Sequence, residues 1–281
     1  MFGVELALGA MLLTGFADLV YKRGAAAGAP AHQFLMVQTW VFFPTVAAYA
    51  LLSGSPLVVA SLWGTCAGGF MLLGGYLFAR SLRTGSISIN APVFRLSFVL
   101  TAALAVVVLG EPLTAAKVGG IALALAAAWL LLGRAAPDGG RGETRAALAQ
   151  VLVATVAVGI GNFIYSLGLR AGASPGSLIV AQASFVCPLA TLLAAARDGG
   201  IRPSRPALRN APLAGAALAS GSVFMVEAMA RVDASIAVPI AQMGFVVSVL
   251  LGFVFLREAF SWRKAGGIAA AVAALACLAH G

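Results

Sequence analysis

The chain has 281 residues, of which 61% are hydrophobic and 10% charged, and its net charge is +9. Soluble domains carry about 25% charged residues, so this composition excludes a water-soluble fold and makes lipid the main solvent. The basic residues lie between apolar runs rather than on one polar face, which argues for membrane orientation and against nucleic acid as a partner.

Ten apolar spans follow in order: 3–21, 33–52, 58–77, 87–109, 117–132, 148–167, 177–196, 212–230, 236–255 and 265–279. Most are long enough for a hydrocarbon core of roughly 30 Å at 1.5 Å per residue. Gly3 onward reads as the first span and not as a cleavable leader. Cys66, Cys187 and Cys277 lie inside spans without metal-ligand or disulfide spacing and read as small packing residues. The longest polar stretch, 135–145, is read as a linker between a first repeat over 1–134 and a second over 146–281.

The stretch from Ile87 to Gly120 recurs from Ser235 onward. Pro92 matches Pro239, Phe98 matches Phe245, Glu111 matches Glu258, Lys117 matches Lys264 and Gly119-Gly120 matches Gly266-Gly267, all at an offset of 147 residues. Earlier in each half the offset is 144: Gly15 with Gly159, Asp18 with Asn162, Tyr21 with Tyr165, Gln38 with Gln182 and Pro44 with Pro188. A shared offset over whole segments marks a duplication. Five spans per copy is an odd number, so the second copy enters the membrane from the opposite side. The expected fold is therefore an all-α membrane protein of ten transmembrane helices in two inverted five-helix repeats. Fourteen Lys and Arg residues, from Lys22 to Lys264, flank one face; Lys117, Arg170 and Arg231 flank the other. That bias puts the first face in the cytoplasm and both termini outside it.

The paired segments VVVLGEPLTAAKVGGIALA and GFVFLREAFSWRKAGGIAAA, with the approach VEAMARVDASIAVPI, resemble the EamA domain of the drug/metabolite transporter superfamily. The resemblance covers essentially the whole chain as two tandem domains. The second copy reads Leu256-Arg257-Glu258 where the first reads Leu109-Gly110-Glu111. The resemblance implies that spans one to four and six to nine surround a cavity, with five and ten packed outside. It also implies transport of a small polar metabolite, with export as the direction.

An ionisable group inside a membrane costs roughly 2.5–3.5 kcal/mol on insertion scales and usually faces a partner or a watery cavity. Arg95 is the strongest case. Its guanidinium either binds a substrate carboxylate bidentately or locks helices by pairing with Asp18 or Glu227. Asp18 either holds a substrate ammonium, takes up a proton, or pairs with Lys22. Asn162 is its uncharged counterpart. Glu227 is a proton-exchanging carboxylate or an i,i+4 partner of Arg231. Gln38, Gln182 and Gln242 bind solute or join helices. Trp40, Trp63, Tyr76 and Tyr165 form an aromatic wall or simply pack. Pro92 and Pro239 act as gating kinks or as fixed bends. Glu111 and Glu258 lie at turns, where loop and interface contacts are expected.

The expected substrate site is Arg95, Asp18, Asn162, Gln242, Tyr76, Tyr165 and Glu227, with Pro92 and Pro239 as gates. The chain lacks the phosphate-cradling G-x-x-x-x-G-K-[ST] and the zinc motif H-E-x-x-H. No enzymatic activity, cofactor or metal is expected. The reading is a monomeric inner-membrane secondary carrier of an amino acid or related carboxylate, working by alternating access with a proton as the candidate coupling ion. The alternatives are proton-coupled efflux of hydrophobic cations and a non-transporting receptor.

Overall fold

The computed structural model of the chain describes residues 2–84, 93–132, 141–256 and 262–280. Among these residues the regular structure is entirely helical. In the first half α1 is Phe2–Ala26, α2 Ala31–Leu52, α3 Leu62–Thr84, α4 Ser97–Leu109 and α5 Ala115–Leu132. In the second half α6 is Arg141–Arg170, α7 Pro175–Asp198, α8 Arg205–Met229, α9 Ala234–Gln242, α10 Gly244–Leu256 and α11 Trp262–Ala279. Among the described residues seven stretches are long and apolar enough to cross a membrane, α9 and the first part of α10 counting as one of them. Val93–Leu109 and Ala115–Leu131 are shorter apolar helices. Arg141 to Arg145, read from sequence as linker, already belong to α6.

The outer surface shows why the solvent is lipid. Val107 is 81% exposed, Leu192 65% and Val272 62%. In water each would lose about 25 cal/mol for every Å² of apolar surface left uncovered. This is a multi-pass membrane protein.

Helix ends follow local chemistry. α7 starts where the Ser174 side chain accepts the Ser177 N–H at 3.2 Å and Pro175 occupies the first turn. It stops at Gly199 (φ 67°), and α4 stops at Gly110 (φ 70°), both in the left-handed conformation that glycine adopts without a Cβ penalty.

The packing repeats itself. α1 lies on α8 as α3 lies on α6, α2 on α8 as α3 on α7, and α1 on α9 and α10 as α6 on α4. α2 meets α7, α4 meets α9, and α5 meets α11. Exchanging the two halves maps this set onto itself. α5 and α11 pack chiefly on each other, and reciprocally: a Cβ at Gly120 would lie 2.6 Å from Leu278 Cγ, and one at Gly267 2.7 Å from Leu131 Cγ. Small residues set the closest approaches. A Cβ at Gly64 would lie 1.9 Å from the Leu178 carbonyl oxygen, so α3 and α7 touch backbone to backbone.

Candidate functional site

Two helices are interrupted at the same place in each half. The Leu96 N–H bonds the Val93 carbonyl at 3.0 Å and the Met243 N–H bonds the Ile240 carbonyl at 3.1 Å. Val99 then bonds Leu96 at 3.0 Å, and Val246 bonds Met243 at 2.9 Å. These are i→i+3 bonds, tighter than the α-helical pattern, and they end one helical segment and begin the next. Arg95 and Gln242 are the residues immediately before the two breaks. Pro239 is buried in α9 one turn before its break. Pro92, its sequence counterpart, lies outside the described residues.

α1 is held against the second break by glycine on both sides. A Cβ at Gly15 would lie 2.4 Å from the Gly244 carbonyl oxygen, and one at Gly244 would lie 2.5 Å from Thr14 Oγ1. That crossing brings Asp18, one turn further along α1, to the interrupted helices. Arg95 Nη2 donates to Asp18 Oδ2 at 2.7 Å, and Arg95 Nη1 donates to Gln242 Oε1 at 3.4 Å. The Phe245 ring centroid lies 5.9 Å from the guanidinium carbon. The side chain of Arg95 is 17% exposed and that of Asp18 34%. Two residues from different helices thus hold one guanidinium while part of its donor edge stays open, since arginine has five N–H groups.

The other half repeats the scaffold without the charge. Gly159 packs under α4, where a Cβ would lie 3.0 Å from the Ser97 carbonyl oxygen. Asn162, one turn further, is fully buried. Neither its Oδ1 nor its Nδ2 has a hydrogen-bond partner among the described residues, nor does the nearby Ser166 Oγ. Thr155 donates to the Val93 carbonyl at 3.0 Å and Thr101 to the Gly159 carbonyl at 3.0 Å, tying α6 to α4 around its break.

The family follows from the chain as a whole. The model of the EamA-like transporter family matches residues 1–133 and again 145–279. The chain belongs to the EamA-like transporter family. Its fold is also that of known structures, 28 chains of which match. One, titled only as the crystal structure of a protein, has a TM-score of 0.82 at 18% identity, covering 99% of this chain and 98% of its own. No curated protein matches.

In this EamA-like transporter the remaining residues singled out from sequence are dispersed. Tyr165 is buried in the core of α6. The Tyr76 hydroxyl accepts from Arg197 Nη1 at 3.4 Å, joining α3 to the end of α7. Glu227 accepts from the Tyr49 hydroxyl and, on its other oxygen, from Arg231 Nη1; the same nitrogen donates to the Glu227 carbonyl at 2.6 Å. So Glu227 takes the local pairing rather than joining Arg95. Trp40 Nε1 donates to Thr191 Oγ1 at 3.0 Å, and Trp63 is 39% exposed, with its Cβ packed against Gly168 of α6. The three cysteines are free thiols.

Two polar clusters in this transporter escaped the sequence reading in whole or part. Glu111 was expected to make loop contacts, and it does so across the halves: Oε1 accepts the Ala234 N–H and Oε2 the Ser235 N–H, both at 2.9 Å. A carboxylate there satisfies two of the unpaired donors at the start of α9. Beside it the fully buried Lys117 Nζ donates to Asp233 Oδ2 at 2.6 Å and to the Pro112 carbonyl at 2.9 Å. The signal was present in Asp233-Ala234-Ser235, an acid directly before an apolar helix, but its partner is a distant lysine. At the α1–α2 turn, His32 Nε2 and Gln33 Nε2 both reach Asp198, at 2.8 Å each, and Gln33 Oε1 accepts the Ser204 N–H at 2.9 Å. Finally, Gly172-Ala173-Ser174-Pro175-Gly176 spells G-x-S-x-G, the pattern of a nucleophile elbow. Ser174 here caps α7 and follows a helix, not the strand that such an elbow requires.

Proposed function

We propose that this transporter carries a small amino acid or related carboxylate across the inner membrane by alternating access, outward by family analogy. The observation that carries this reading is the Arg95–Asp18 pair beside the matched helix breaks. Interrupted membrane helices are where many secondary carriers bind solute, because freed backbone groups and kinks permit a cavity. Arg95 already holds one carboxylate, at 2.7 Å. A cargo carboxylate that takes over the guanidinium exchanges one such bond for another, so binding is strong enough to select and weak enough to release. The displaced Asp18 then meets the cargo's ammonium, and the site keeps its net charge. An amino acid satisfies both ends; a simple monocarboxylate leaves Asp18 unpaired and would need a proton with it.

Two inverted five-helix repeats are the framework of this mechanism. The packing set that maps onto itself, and the reciprocal Gly120–Leu278 and Gly267–Leu131 contacts, support a twofold relation with its axis in the membrane plane. The two halves rock about that axis as a monomer, with both termini outside the cytoplasm. Efflux of organic cations through Glu227 or Asp18 has less support, because each carboxylate already holds an arginine.

A thermal-shift screen of the purified protein against metabolites tests the reading, repeated with Arg95→Ala and Arg95→Lys. Carboxylates are expected to stabilise the parent strongly, Arg95→Lys weakly and Arg95→Ala not at all. Equal stabilisation of all three would sink the role of Arg95. Uptake of the same solutes by proteoliposomes separates transport from mere binding.

A further inference from the structure

The charged site makes no use of Glu111, Lys117 and Asp233, yet both groups sit on one pair of helices. α4 and α9 are pinned together at two levels. At one, Arg95 Nη1 donates to Gln242 Oε1 at 3.4 Å; at the other, the Ala234 N–H donates to Glu111 Oε1 at 2.9 Å. α9 has nine residues, so at 1.5 Å per residue the two levels lie about 13 Å apart. Between them Phe98, Thr101 and Ala105 of α4 and Ala237, Val238 and Ile240 of α9 are fully buried. The Asp18 side chain, in the last third of α1 toward the basic loops, is by contrast 34% exposed.

The bonds that join the halves at the far level are polar. Glu111 accepts the Ala234 and Ser235 N–H groups, Lys117 Nζ donates to Asp233 Oδ2 at 2.6 Å, and Arg170 Nη1 donates to the Leu109 carbonyl at 2.8 Å. Polar groups that part exchange one another for water, so the net cost is modest. Apolar surfaces that part lose about 25 cal/mol for every Å² exposed. Permanent adhesion has no need of the ion pair, because hydrophobic residues of similar volume hold a buried seam as well or better. The duplication also marks it. At the offset of 147, Glu258 and Lys264 match Glu111 and Lys117, but Ser86 stands where Asp233 would be.

We propose that the Lys117–Asp233 pair is a releasable latch. Joined, it holds the α4–α5 turn on the start of α9 and shuts the face that Lys117 and Arg170 flank. Parted, it opens the charged site to that face. The latch rests on the alternating-access reading and adds the contact that must break in each cycle.

Two variants push the latch in opposite directions. Lys117→Met combined with Asp233→Leu replaces the ion pair by an apolar contact that water cannot relieve. Asp233→Ser strands the buried Lys117 ammonium, and opening is its route to water. The double variant is expected to unfold in denaturant no earlier than the parent, yet to move radiolabelled amino acids into proteoliposomes at least tenfold more slowly. Flux within twofold of the parent overturns the latch, since the pair is then only an adhesive. Opening is read at Ala237→Cys, fully buried one turn beyond Asp233, with Cys66, Cys187 and Cys277 replaced by serine. Asp233→Ser should speed labelling there by a membrane-impermeant maleimide at least tenfold, and the double variant should not. A cysteine at Ala211, buried near the start of α8, should stay protected in Asp233→Ser. Labelling unchanged at Ala237→Cys, or raised equally at both positions as in general unfolding, overturns the latch even if the double variant fails to fold. Labelling needs no solute: a parent that moves no amino acid would sink the carrier reading and leave the latch to be decided by the cysteines.

Discussion

The two interrupted helices are the same backbone with different chemistry. Leu96 and Met243 carry the same pair of i→i+3 bonds, and each helix is crossed by a glycine of the neighbouring first helix, Gly159 for one and Gly15 for the other. Yet one break presents Arg95 and the other Gln242, and the first helix that crosses the Gln242 break carries Asp18 where the one that crosses the Arg95 break carries Asn162; Arg95 bonds both Gln242 and Asp18. Duplication preserved what the backbone needs, a crossing close enough to seat a broken helix. It did not preserve the charges, which work singly: two arginines beside one another at the centre of the membrane would repel. On the proposed mechanism, one asymmetric charge pair would give the carrier a single site reachable from both sides.

The comparison can be broken most directly by making the copies alike. Arg95→Gln gives both breaks the same residue and leaves Asp18 without its cation. Truncating one partner of such a pair costs about 2–5 kcal/mol, so carboxylate binding should fall by about two orders of magnitude or more. Calorimetric titration with the best ligand reads this, and binding within threefold of the parent would deny the asymmetry any function.

Next comes the buried lysine that links the halves. Asp233→Ala strands the Lys117 ammonium, whose side chain has no exposure, with only the Pro112 carbonyl. Removing one partner of a buried pair costs about 3–5 kcal/mol. Asp233 is 38% exposed and can rehydrate, so Lys117→Met should cost clearly less. Denaturant-induced unfolding in detergent micelles gives both values, and the reverse order would mean that Lys117 is not sealed in.

The two glycine crossings allow a finer comparison. At Gly15 an added Cβ meets backbone at 2.4 Å, which cannot yield. At Gly159 it meets Leu100 Cδ2 at 2.9 Å and the Ser97 carbonyl oxygen at 3.0 Å, and the leucine can turn aside. Gly15→Ala should therefore cost about 2 kcal/mol, within the range for overpacking, and Gly159→Ala about 1 kcal/mol or less. The same unfolding experiment decides, and equal losses would mean that the two crossings are equally tight.

The smallest expected effect concerns the cap. Glu111→Gln keeps one acceptor for the start of α9 but loses the second and the charge. The cost should be about 1 kcal/mol, typical of a helix N-cap. A larger loss, with transport slowed in parallel, would give the cap a part in the rocking of the halves.

Much of this was open to inspection in the residues. Composition, the two offsets and the Lys–Arg bias required a duplicated membrane protein, because lipid and backbone hydrogen bonding permit few alternatives. Arg95 stood out for the same reason: a charge within an apolar run must be accounted for. Asp18 stands out in the same way, both as a partner for Arg95 and as a site residue in its own right. What spacing did not supply was the choice between Asp18 and Glu227, since two acids on different helices are equivalent until the helices are placed. The Gly15–Gly244 crossing brings one of them within 2.7 Å of the guanidinium, while Arg231, one turn away, claims the other.

The sequence by itself determined the helices, their duplication and the few residues that could not face lipid, because each of these depends on local hydrophobicity and periodicity. The tertiary structure alone decided which of those residues meet: Arg95 with Asp18 and Gln242, Glu111 with the start of α9, and Gln38 with Gln182 around one cavity. Such meetings depend on the packing of helices distant in the chain, and hydrophobic pattern records which face a residue occupies but not what lies opposite.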